Sequence, residues 1–219
     1  MKGDKIVIEE GHIKAASQIA EVLLPQIEES RGRSVITIAG ESGSGKSEIA
    51  SALSDILSKK GIKSAILQQD DYFVYPPKTN AEMRRKDINH VGLTEVRLGL
   101  LDQNLKDVID GKDKIVKPLV IFDADRITEE TVDLRGIKVV IVEGTYTATL
   151  KNARQHVFID RTYIDTRETR QRRSREKQDA FLEEILEIEH GIISSQEVQA
   201  DIVVTNDFEV SNGEPKRKE

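Results

Sequence analysis

Short apolar runs rich in β-branched residues alternate along this chain with segments whose apolar residues recur every three or four positions. The first pattern predicts buried strands, the second amphipathic helices. Residues 35–39, 62–68, 139–142, 157–159 and 202–205 read as strands, with 115–122 as a further extended segment and 5–9 as a short strand at the start. The run 139–142 is apolar throughout, as expected of a central strand covered on both faces. Helical spacing appears at Ile13, Ala16, Ala20, Leu23 and Ile27, where Pro25 ends or kinks the helix. It recurs at Ile49, Ala50, Leu53, Ile56 and Leu57, and again from Val96 through Leu101 and Leu105 to Ile109. A single long helix is expected over 165–190, an irregular connection over 74–89, and a frayed tail over 211–219. Strands alternating with helices imply an α/β fold, a parallel sheet with helices on both faces. Ligands then bind beyond the carboxyl ends of the strands. The expected organisation is a strand–helix arm over 1–33, a main domain over 34–210 and the tail.

One turn in this pattern is chemically specific. Gly40-Glu41-Ser42-Gly43-Ser44-Gly45-Lys46-Ser47 fits G-x-x-x-x-G-K-[ST], with a strand before it and a helix after it. Glycines let the backbone approach phosphate oxygens closely, so successive N–H groups can point at them. The following helix adds its N-terminal partial positive charge. Lys46 can reach the β- and γ-phosphates, and the Ser47 hydroxyl can ligate Mg²⁺. Glu48, in the helix's first turn, is grouped with the loop as nucleotide-binding. ATP and Mg²⁺ are the expected cofactors.

Charge and composition narrow the partners. The formal net charge is −6, so nucleic-acid binding is not the expectation. The absence of cysteine excludes disulfides, thiol nucleophiles and Cys-ligated metals and gives no sign of secretion. Residues 1–4 carry no signal-peptide core, and no apolar stretch approaches membrane-spanning length. The expectation is a soluble cytoplasmic protein, with the arm either packing on the body or joining copies into a homo-oligomer.

Further polar residues fall at strand ends. Asp70 and Asp71 follow the strand 62–68, where a carboxylate can take a proton from an attacking hydroxyl or simply cap a turn. Glu143 ends the run 139–142, a position suited to holding Mg²⁺ directly or through water. Arg167, Arg170, Arg172, Arg173 and Arg175 crowd the start of the predicted long helix, ahead of the apolar stripe Phe181, Ile185 and Ile188. Arg167, Arg170 and Arg173 share one arc. They suit a lid over 165–180 that closes on phosphates, or a solvated face paired with Glu168 and Glu176. Tyr72, Phe73, Tyr75 and Arg126 are candidates for an acceptor pocket. The four histidines show no ligand spacing, and no N-K-x-D guanine signature is present.

In order and spacing these motifs resemble the uridine kinase and phosphoribulokinase family, from about residue 34 to 207. Gly40 to Ser47 resembles its phosphate loop, and Leu67-Gln68-Gln69-Asp70-Asp71-Tyr72-Phe73 its L-x-Q-D-x-F-Y stretch. Val142-Glu143-Gly144 resembles its V-E-G. Asp165-Thr166-Arg167 with Arg170, Arg173 and Arg175 resembles its arginine lid, and Ala200-Asp201-Ile202-Val203-Val204 its A-D-[IV]-[IV] strand. The resemblance implies a P-loop NTPase-type sheet with a helical lid, and transfer of the ATP γ-phosphoryl to a hydroxyl of a small molecule, a nucleoside or related sugar alcohol. It places Asp70 as catalytic base, with Lys46 and the lid arginines Arg167, Arg170 and Arg173 acting on the phosphoryl group. The family's Tyr-Asp pair after the proline matching Pro118 is missing, and its H-P-x-A-x-D stretch is unmatched over 89–95. An adenylylsulfate or other nucleotide kinase, and a non-catalytic ATP-binding sensor, are the alternatives.

Overall fold

The computed structural model describes residues 6–173 and 179–212. In chain order the elements are α1 (Glu10–Glu29), β1 (Ser34–Gly40), α2 (Lys46–Lys59), β2 (Ser64–Gln68), α3 (Pro77–Lys86), α4 (Leu98–Ile109), β3 (Lys114–Ile121), β4 (Arg126–Asp133), β5 (Val139–Glu143), β6 (Gln155–Ile159), α5 (Arg167–Arg173), α6 (Ala180–Ser194), β7 (Ile202–Val204) and β8 (Val210–Asn212). One sheet has the order β2-β5-β1-β6-β7-β8; β3 and β4 form a separate hairpin. The pairings from β2 to β7 are all parallel, and β8 adds an antiparallel edge. This is the α/β architecture that the alternating pattern predicts, with β1 and β5 buried along their whole length.

Alternate residues of the central strands feed two cores. Ile36, Ile38, Val139 and Ile141 face α1 and α2, packing with Ala16, Ile19, Leu23, Leu53 and Leu57. Val35, Ala39, Val140 and Val142 face the other way, toward Leu101, Leu105 and Val108 of α4 and Ile115 of the hairpin. Helix α1 is thus part of the main core. It also meets the sheet edge, where Val210 N donates to Gln18 Oε1 at 2.7 Å.

Several local expectations need correction. Ile6–Glu9 joins no strand; Ile6, Val7 and Ile8 are exposed. Pro25 does not end α1, which continues to Glu29. The proline sits on the exposed side, where the carbonyl it leaves unbonded can meet water. The stretch 74–89 holds a ten-residue helix, α3, entered by Pro77 at its first position. The segment 115–122 is extended as expected; it is the first arm of an antiparallel hairpin, with Ile121 opposite Arg126. The helix expected over 165–190 is two helices, because Asp179 caps α6 by accepting a hydrogen bond from Leu182 N at 3.1 Å. Residues 211 and 212 of the expected tail belong to the strand β8.

Candidate active site

The carboxyl ends of β1, β2 and β5 meet at one cavity of about 220 Å³. The loop after β1 supplies Ser42, Gly43, Lys46 and Ser47 to its wall; the turn after β2 supplies Asp70, and the end of β5 supplies Glu143. Gly45 has φ +102°, a left-handed conformation that glycine adopts readily, and caps α2. A Cβ there would lie 3.0 Å from the His12 ring. Lys46 Nζ donates to the Glu41 carbonyl at 2.8 Å, folding back over its own loop. Ser47 Oγ donates to Glu143 Oε1 at 3.1 Å. Burial raises the Asp70 carboxyl above its ordinary range against the attraction of Lys46. It raises Glu143 as well, aided by repulsion from Asp70. Two desolvated carboxylates beside one lysine are poised for a cation or a proton.

The chemistry of this donor set fits Mg²⁺. Ser47 and Glu143 offer hard oxygens a hydrogen bond apart, with Asp70 facing the same space. Among the described residues no cluster of three or more His, Asp or Glu could hold a metal ion by itself. A magnesium ion here would fill the rest of its shell with oxygens from water or a bound phosphate.

The other predicted residues divide sharply. Arg170 lines the cavity and is buried; its guanidinium donates to the Tyr163 carbonyl and to Thr166 Oγ1. Arg167 lies outside the lining, exposed, and pairs with Glu183 of α6 at 3.1 Å. Arg173 belongs to α5, but its side chain, that of Arg172, and residues 174–178 lie outside the described residues, so Arg175 does too. Glu41 turns away from the cavity, accepting from Tyr163 N at 2.5 Å and standing 2.6 Å from His190 Nδ1. Glu48 is buried in α2, outside the cavity lining. Gly40 and Ser44 close the loop from behind: a Cβ at Gly40 would meet Ser44 Oγ at 2.9 Å.

Asp71, Tyr72, Tyr75 and Arg126 are not brought to the cavity. Asp71 is sealed inside, 2.6 Å from Lys117 Nζ, and accepts from Val120 N at 3.0 Å. Tyr72 is fully buried and donates to Asn104 Oδ1 at 2.9 Å. These two residues fasten the hairpin and α4 to the end of β2. Tyr75 packs against the His90 ring, and Arg126 stands exposed at the start of β4.

The far half of the cavity is built by α3 and α6. Asn80, Ala81 and Arg84 come from α3; Leu182, Ile185, Leu186 and Glu189 come from α6. Phe73 and Phe122 complete the wall. Arg84 bridges the two helices, with Nη2 2.9 Å from Glu189 Oε1. It also grips the fully buried Glu95 through Nε at 2.5 Å and Nη2 at 3.0 Å.

A model of the phosphoribulokinase/uridine kinase family matches residues 35–175. The chain belongs to that family. Its relatives include a bifunctional alpha-galactosidase/sucrose kinase from Mediterraneibacter gnavus, 30% identical over 83% of this chain and 21% of that protein. A uridine kinase from Macrococcus caseolyticus is 31% identical over 60% of this chain and 62% of its own length. The matches thus span about a fifth of the first relative and about half to three fifths of the uridine kinases. Among solved structures, a possible uridine kinase from Bacillus stearothermophilus superposes with TM-score 0.60 at 20% identity, covering 86% of this chain and 96% of that one. D-glycerate 3-kinase from Cryptococcus neoformans gives 0.61 at 16% identity, covering 90% and 98%. At these identities the structural likeness concerns the fold.

Against this family background, what the motifs missed is the far half of the cavity: Asn80, Arg84, Phe122 and Glu189. The signals present were the basic run 84–86 inside an unusually long connection and the apolar stripe of α6. Neither indicates that Arg84 meets Glu189, 105 residues away. His190 likewise gave no sequence signal for its contact with the phosphate loop.

Proposed function

We propose that the protein is a Mg²⁺·ATP-dependent kinase that transfers the γ-phosphoryl group to a hydroxyl of a small molecule, a nucleoside or related sugar alcohol. The observation that carries this reading is the convergence of Lys46, Ser47, Asp70 and Glu143 on one cavity beside the phosphate-loop amides. Loop N–H groups and Lys46 hold the β- and γ-phosphates. Ser47 and Glu143 would hold Mg²⁺, which when bound neutralises phosphate charge. Asp70 accepts the proton of the acceptor hydroxyl as its oxygen attacks phosphorus, and ADP departs. A carboxylate held above its ordinary pKa is the better proton acceptor. Arg170 stands at the cavity wall to meet charge on the transferred group. Leu182, Ile185 and Leu186 of α6 present an apolar surface that keeps water from competing as acceptor.

The test is ADP release from Mg²⁺·ATP with and without candidate acceptors. Release that an acceptor stimulates, and that Lys46→Ala abolishes, is the expected result. A protein that binds Mg²⁺·ATP yet shows no stimulation by any alcohol would be a nucleotide-binding sensor instead.

A further inference from the structure

Resting on the kinase reading above, we infer that Glu41 is a positioning residue that joins the phosphate loop to α5 and α6, so that a nucleotide settling in the loop is felt at the far wall of the cavity. The motif G-x-x-x-x-G-K-[ST] asks nothing of its second position. This chain places a carboxylate there and buries it. Burying a carboxylate is costly unless its oxygens are bonded. Both are, and both bonds lead out of the loop. Oε2 accepts from Tyr163 N at 2.5 Å, on the approach to α5, and Oε1 stands 2.6 Å from His190 Nδ1 of α6. The rings of Tyr163 and His190 meet in turn, with centroids 5.7 Å apart. One carboxylate therefore closes a triangle of loop, α5 approach and α6.

Each corner of the triangle reaches the cavity. Beyond Tyr163, Arg170 donates to the Tyr163 carbonyl and lines the wall. Thr166 Oγ1 gives this segment a second hold on the loop, donating to the Ser42 carbonyl at 2.9 Å. On α6, His190 follows Glu189, and the wall residues Leu182, Ile185, Leu186 and Glu189 belong to the same continuous helix. A rigid element of this kind carries a displacement from one end to the other. In the loop, the Glu41 carbonyl receives Lys46 Nζ at 2.8 Å. A lysine that turns to a nucleotide phosphate leaves that carbonyl, so the residue that holds the two helical segments is also the one whose peptide registers the nucleotide. A ligand shifts an arrangement only through contacts that differ between its states. Transfer of Lys46 from the Glu41 carbonyl to a phosphate is such a difference. By reciprocity, an acceptor that settles α6 tightens the grip on the nucleotide.

The probe is Mg²⁺ with the non-hydrolysable analogue AMP-PNP, added to the full chain and followed by amide hydrogen exchange and isothermal titration. In the native protein the analogue should slow exchange at the loop, 41–47, and also at 186–193 of α6, the latter about 5–10-fold. His190→Leu changes a side chain that is 39% exposed, so the fold should survive. In this variant the loop should still be protected, while the α6 effect falls below about twofold. His190→Asn, whose side-chain amide can take the place of Nδ1, should restore it. Glu41→Ala should raise the Kd of the analogue about 5–10-fold. Adding His190→Leu to it should raise the Kd little further, because both substitutions remove one contact. Exchange at 186–193 that the analogue leaves unchanged in the native protein, or still slows fully in His190→Leu, overturns the inference and leaves nucleotide binding standing. Additive effects in the double variant overturn it too, since they assign the two residues separate roles. Absence of both binding heat and loop protection overturns the kinase reading itself. The His190 variants decide the matter even if Glu41→Ala fails to fold.

Discussion

Lys117 Nζ lies 2.6 Å from Asp71 Oδ2, and both side chains are almost sealed from solvent, at 4% and 3% exposure. The pair joins the hairpin strand β3 to the turn after β2. It also sets the direction of Asp70, since the chain turns between one aspartate directed inward to the hairpin and one directed to the cavity. Asp71 is a structural anchor for its neighbour Asp70.

Breaking that pair should be costly. Lys117→Met leaves the Asp71 carboxylate buried beside Val120 N, with the lysine's compensating charge gone. Urea denaturation should show a loss of about 3–5 kcal/mol. The double variant Lys117→Met, Asp71→Asn should recover part of it, because no uncompensated charge remains. A loss below about 1 kcal/mol in the single variant would refute the anchor.

Lys46→Ala should weaken Mg²⁺·ATP binding and lower turnover by about 10²–10³-fold, the usual effect of removing one preorganised charge at a phosphoryl site. Isothermal titration gives the binding term. Circular dichroism should stay native, because the Lys46 ammonium contacts a loop carbonyl and not the core.

Asp70→Asn should cut kcat by about 10²–10⁴-fold while ATP affinity stays nearly constant. The same variant should be more stable than the native protein when metal and nucleotide are absent. Burial raises the folded-state carboxyl pKa of Asp70, outweighing Lys46. A carboxyl raised in the folded state contributes stability below its unfolded pKa and loses it as pH climbs through the folded value. Metal-free Asp70→Asn should therefore melt higher than the native protein at alkaline pH, with the gap closing as pH falls toward the ordinary carboxyl range. Scanning calorimetry at the two ends of that range checks the sign.

Ser47→Ala should raise the Mg²⁺ concentration needed for half-maximal turnover by about 10–100-fold, while saturating Mg²⁺ restores much of the rate. The hydroxyl's position beside Glu143 Oε1 motivates this. Magnesium titration at fixed total ATP is the measurement; an unchanged midpoint would take Ser47 out of the metal site.

The central layers were readable because their patterns are local. An apolar run such as 139–142 has few alternatives to a covered strand, and the glycines of 40–47 leave little freedom of interpretation. The elements that escaped reading are stabilised by distant partners. Only Asn80 of α3 is buried, so the helix has no apolar stripe; its start is held instead by Asp125, which accepts from Lys78 N at 2.6 Å and Thr79 N at 3.2 Å. Strand β4 is exposed at most positions and shows no clear alternation. Its identity comes from pairing with β3. Tyr72 drew attention as a scarce aromatic near Asp70, but its hydroxyl faces Asn104, a partner 32 residues away that spacing cannot reveal.

His12, Gly45 and Phe208 meet at the back of the phosphate loop. The His12 and Phe208 rings stand edge to face with centroids 5.1 Å apart, and the Arg161 guanidinium lies 4.5 Å from the Phe208 ring centre. The buttress of this loop is thus drawn from opposite ends of the described chain. During synthesis, β1 and α2 leave the ribosome long before Phe208 does. A growing polypeptide that ends short of Phe208 carries the glycine motif without its rear support, so the loop is fully buttressed only late in translation.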